Sequence, residues 1–133
     1  MDFLKLSRDI ARICWEKKGK DIVILDLREL SIICDCFIIV TGETEIHNRS
    51  ICDAVREEIE GREGVTLHHV EGYEEGKWIL LDFGGVLIHI FTQELREYYD
   101  LEKLWGDAFR EEYPSMANGK ENRGRTKEDN SKT

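Results

Sequence analysis

The sequence predicts a single α/β domain built on a mixed five-stranded sheet flanked by helices. Three observations predict it. Apolar runs of period two alternate with stretches whose apolar residues recur at helical spacing. One run, Cys36 to Thr41, is apolar on both faces and belongs in the middle of a covered sheet. The chain of 133 residues has the length of one domain and can bury a core without staples.

The elements follow in order. Phe3, Leu6, Ile10, Ile13 and Cys14 give a first helix over about residues 3 to 18, ended near Gly19. Asp21 to Leu27 is β-branched and reads as a strand. Cys36 to Thr41 is the second strand, broken by Gly42. Thr44 can cap the next helix, whose buried stripe is Ile46, Ile51, Ala54, Val55 and Ile59. Val65 to Val70 is a weaker strand. Trp78 to Phe91 is a hairpin about Gly84-Gly85, a pair suited to a two-residue turn. Helical spacing then returns, with Asp100 as a candidate cap for Leu101 to Trp105. Pro114 marks the end of compact structure, so residues 1–113 form the domain and residues 114–133 a disordered charged tail.

The hairpin has two unlike faces. Phe83 opposite Val86, Leu81 opposite Ile88 and Ile79 opposite Ile90 make a core face. Asp82 opposite Leu87, Leu80 opposite His89 and Trp78 opposite Phe91 mix aromatics, a carboxylate and an imidazole, as recognition surfaces do. For His89 the alternatives are a contact role and a hydrogen bond to Asp82 or a backbone carbonyl. Trp105 reads as buried on its helix, and Trp78 and Tyr99 as exposed at an interface with Arg96 beside them.

The formal charge is −9. Residues 114–133 hold five basic and three acidic groups, leaving 14 basic and 25 acidic in residues 1–113, a net of −11. A body this acidic repels phosphate backbones, so direct nucleic-acid binding by the folded part is not expected. It attracts a basic protein, or serves solubility alone. Without a secretory leader or an apolar run of spanning length, the expected location is cytoplasmic and no membrane is involved. Cys14, Cys34, Cys36 and Cys52 lack zinc spacing and read as reduced, mostly buried thiols; Cys34 and Cys36 would share one side of a strand.

No catalytic or metal constellation emerges, and no cofactor is implied. His68 and His69 point to opposite strand faces, and His47 opens a helix. Asp26, Asp35 and Asp82 end or begin strands and could cluster at one sheet edge. Nucleotidyltransferases hold magnesium on such carboxylates. That enzyme is the alternative reading, although the Gly-Ser turn and Asp-x-Asp pair it needs are missing.

From Asp26-Leu27-Arg28, Leu30-Ser31 and Cys34-Asp35, through Phe37 to Gly42, His47 and Glu71-Gly72, to Trp78–Gly84, Val86–Phe91, Arg96 and Tyr99–Trp105, the chain resembles the bacterial ribosomal silencing factor family, related to the plant protein Iojap. The resemblance spans roughly residues 3 to 109. It implies a fold distantly like nucleotidyltransferases but without catalysis. It also implies a translational repressor that binds the large ribosomal subunit through large-subunit ribosomal protein number fourteen. There it blocks joining of the small subunit when nutrients are short. By motif, Trp78 and Tyr99 match the family's interface aromatics, and Asp82, His89, Phe91, Arg96 and Glu102 match further positions expected to line the contact. Gly85 stands where the family usually carries aspartate, and Cys36 where an aromatic is common. A homodimer burying the same face is a further partner to consider.

Overall fold

The computed structural model describes residues 2–115. Helix α1 (Phe3–Glu16) is capped by Asp2, whose carboxylate accepts the Lys5 amide, and turns Leu6, Ile10, Ile13 and Cys14 inward. It ends two residues before its predicted end; Lys18, at a φ of 67°, turns the chain into the sheet. Strands β1 (Lys20–Asp26) and β2 (Cys36–Gly42) follow, then α2 (Glu45–Ile59), β3 (His69–Glu71), β4 (Trp78–Asp82) and β5 (Val86–Thr92). The chain continues through α3 (Gln93–Tyr99), α4 (Leu101–Leu104) and β6 (Phe109–Tyr113).

The sheet has six strands rather than five, in the order β3-β4-β5-β2-β1-β6. Periodicity misses β6 because Phe-Arg-Glu-Glu-Tyr is rich in charge. An edge strand tolerates charge, since only one side of it is paired and much of it faces water. The weak strand predicted over residues 65 to 70 shrinks to His69–Glu71 at the opposite edge. Only β2 and β5 pair in parallel; every other pair is antiparallel.

All seven residues of β2 are buried, as its two apolar faces require. One sheet face, with Ile24, Ile38, Val40, Ile79, Leu81, Ile88 and Ile90, packs beneath α1 and α2. The other face carries a smaller cluster of Val23, Leu25, Phe37, Ile39 and Phe91, against which Leu95, Leu101 and Trp105 pack from the α3–α4 segment. That shorter cover leaves Trp78, Leu80, Asp82 and Leu87 half-exposed.

Local chemistry explains the remaining details. Thr44 caps α2 as predicted, its hydroxyl accepting the His47 amide at 3.0 Å. Ile46 is exposed rather than part of the buried stripe, because five residues separate it from Ile51 and rotate it off that face. Cys34 and Cys36 enter opposite clusters, since Cys34 lies in the bend before β2 begins. All four thiols are free and buried. Asp100 makes no side-chain cap to α4; it adopts a φ of 49° and its amide donates to the Arg96 carbonyl, closing α3 instead. The predicted tail lies outside the described residues from 116 onward.

Candidate functional site: an aromatic face on the hairpin

The hairpin register agrees with the sequence reading: Trp78 opposes Phe91, Leu80 opposes His89 and Asp82 opposes Leu87. The Phe83 amide donates to the Val86 carbonyl at 2.9 Å across the turn. Gly84 takes a φ of 87°, which favours glycine there. Asp82 braces the turn by accepting the Gly84 amide at 2.8 Å.

Aromatic side chains cross the second sheet face in contact. Tyr98 meets Tyr99 edge-on with centroids 5.0 Å apart, and Tyr99 lies 4.5 Å from Trp78. Trp78 in turn lies 5.0 Å from Phe91 and 6.0 Å from His89. His89 stands 4.6 Å from Phe37, which meets Trp105 at 5.9 Å. These spacings are those of favourable ring pairs. Exposure falls along the series: Tyr98 is 77% exposed, Tyr99 46%, Trp78 half-buried, and Phe91 fully buried.

His89 and Phe91 therefore support this face from beneath. His89 is 5% exposed. Its Nδ1 accepts the indole N–H of Trp78 at 3.2 Å, so its expected partners, Asp82 or a backbone carbonyl, give way to Trp78. A neutral ring that accepts at Nδ1 carries its proton on Nε2, and Nε2 finds no partner among the described residues. Burial pushes the imidazole down to about 4, so it is neutral at pH 7.

Arg96 is also buried, 7% exposed, and serves as an internal brace. Its Nε and Nη2 donate to both carboxylate oxygens of Glu102, at 3.1 and 2.9 Å, and Nη1 donates to the Thr41 hydroxyl at 2.9 Å. Arg110 approaches the same Glu102 carboxylate at 3.5 Å. The network joins α3 to α4, β2 and β6 around the Asp100 corner, and that corner sets Tyr99 against Trp78.

Of the residues expected to line a contact, Trp78, Asp82, Tyr99 and Glu102 reach the surface. His89, Phe91 and Arg96 lie beneath it. Leu80 and Leu87, half-exposed on the same face, were not singled out in the sequence. The register that set them opposite His89 and Asp82 was the available signal.

The strand-end carboxylates Asp26, Asp35 and Asp82 do not gather into a metal-holding cluster. Asp26 continues the Ile24 side of β1, whereas Asp82 continues the Trp78 side of β4, on the opposite face. Asp26 is held by Arg28 at 2.6 Å, and that guanidinium lowers its carboxyl below the usual range. Among the described residues no cluster of three His, Cys, Asp or Glu side chains is arranged to hold a metal. No helix among them is long and apolar enough to cross a membrane.

Residues 1–133 match the family described as "Ribosomal silencing factor during starvation". The "Ribosomal silencing factor RsfS" of Bacillus subtilis is 36% identical over 98 residues, covering 74% of this chain and 82% of that protein. The protein of the same name from Halalkalibacterium halodurans is 38% identical over 93 residues, covering 70% and 79%. A crystal structure of a Chromobacterium violaceum protein superposes with a TM-score of 0.75 at 32% identity, covering 80% of this chain and 88% of that one. With its six-stranded mixed sheet and its match along the whole sequence, this chain belongs to the ribosomal silencing factor family.

Proposed function

We propose that this protein is a translational repressor without catalytic activity. It binds the large ribosomal subunit in the cytoplasm, through large-subunit ribosomal protein number fourteen. Its bulk there blocks docking of the small subunit and lowers translation when nutrients are short. The observation that carries the reading is the Trp78–Tyr99 pair, an aromatic surface held at 4.5 Å on a rigid hairpin and a braced corner. Paired aromatics supported from beneath are the kind of anchor that dominates protein interfaces. The net of −11 over residues 1–113 suits a basic partner and speeds its capture. Membership of a family described as silencing ribosomes during starvation supports the same role.

The test is a subunit-joining assay. Purified large subunits pre-incubated with the protein should retain it on a sucrose cushion and then form fewer complete ribosomes when small subunits are added. Normal joining at saturating protein would overturn the reading.

A further inference from the structure

The bend between β1 and β2 is the most exposed apolar segment outside the aromatic face. Ile32 is fully exposed, Ile33 is 85% exposed, and Leu30 is exposed beside them. The bend is nevertheless braced. The amides of Leu30 and Ser31 both donate to the Leu27 carbonyl at 2.9 Å, and the Ile33 amide donates to the Ser31 hydroxyl at 3.1 Å. The Asp35 and Cys36 amides donate to the Gly85 carbonyl, at 2.8 and 3.0 Å, tying the bend to the tip of the hairpin. Its two ends, Leu27 and Cys34, are buried in the same cluster as Phe37 and Phe91, with Trp78 and Leu87 packed against it. The segment thus extends the aromatic face at its turn end.

Two adjacent β-branched side chains in water, on backbone that is already ordered, have little entropy left to lose on binding. The charge around them is acidic. Glu29 is exposed and Asp35 half-exposed, while the nearby Arg28 guanidinium is engaged by Asp26.

We propose that Leu30, Ile32 and Ile33 form a second contact for the same large-subunit partner, in an apolar depression bordered by lysine or arginine. This rests on the proposed binding of the large subunit through the Trp78–Tyr99 face. Continuity with that face selects the same occupant, and the acidic border selects basic surroundings on it.

The experiment measures the affinity of the full chain for purified large subunits. It compares wild type, the double variant Ile32→Ser/Ile33→Ser, and Trp78→Ala. The expected result is an unchanged melting temperature for the double serine variant, whose altered side chains face water, with affinity at least tenfold weaker. Wild-type affinity in the double variant beside weakened Trp78→Ala would overturn the second contact and leave the aromatic face standing. Loss of self-association in sedimentation velocity with unchanged subunit affinity would also overturn it, assigning the bend to a second copy of the chain. Failure of the wild type to bind large subunits would remove the proposed function and this contact together.

Discussion

Trp78 donates its indole N–H to Nδ1 of His89 across the β4–β5 ladder, at 3.2 Å. The bond fixes both partners. It orients a half-exposed indole toward Tyr99, and it assigns the proton of a buried imidazole to Nε2. A histidine expected to line a contact is thereby the buried seat of the half-exposed Trp78.

His89 should make stability pH-dependent in a defined window. Its folded-state value is about 4, below the ordinary 6.5, so between those limits the unfolded chain takes up a proton that the folded chain refuses. Stability therefore falls as pH drops from 6.5 toward 4, by up to about 3 kcal/mol from this ring. Urea unfolding at pH 7.0 and 5.0 should show the loss, and His89→Asn should flatten it. An equally steep slope in the variant would assign the effect elsewhere.

Truncating the surface aromatics should cost binding more than folding. Trp78→Ala and Tyr99→Ala are each expected to weaken large-subunit affinity by about 1–3 kcal/mol, the scale of interface anchors. Circular dichroism should report a native fold for both. Co-sedimentation equal to wild type in both variants would rule out this face as the contact.

The Arg96–Glu102 pair should behave as a buried ion pair. Glu102→Ala leaves the Arg96 guanidinium inside with Thr41 as its remaining close partner, and should destabilise by about 3 kcal/mol. The double change Arg96→Met/Glu102→Leu should recover much of that stability, because it removes both charges. Affinity for the large subunit should stay low, since the corner that presents Tyr99 loses its hydrogen bonds. Denaturation and binding measured on the wild type and these two variants separate the two effects.

Gly85→Asp, the residue the family resemblance leads one to expect at this turn, should not be neutral here. A Cβ at Gly85 would sit 2.4 Å from the Phe3 ring, so α1 must shift or Phe3 must swing away. The expected cost is about 1–3 kcal/mol, as for overpacking elsewhere. Phe3→Ala should relieve most of it, and a double-mutant cycle measures the coupling. Additive effects would show that the ring moves freely.

Much of the fold was legible because it follows from local rules. The side-chain period of two set the hairpin's faces, and glycine at its tip set the turn, so every cross-strand pair from Trp78–Phe91 to Asp82–Leu87 could be written from the sequence. The doubly apolar β2 placed itself in mid-sheet for the same kind of reason. The Thr44 cap needed only its own hydroxyl and the His47 amide three residues on.

The sixth strand and the division of the site were not legible. β6 exists because β1 offers it an edge, and its own residues announce no strand. Whether Phe91 and Arg96 face water depends on α3 and α4 folding back over the second sheet face, through contacts such as Arg96 to Thr41 across 55 residues. The sequence by itself determined which residues share the mixed face of the hairpin, since backbone geometry alternates side chains without help from the rest of the chain. Only the tertiary structure decided that Trp78 and Tyr99 form its surface while His89, Phe91 and Arg96 support them, because burial is set by what packs on top, and that arrives from elsewhere in the chain.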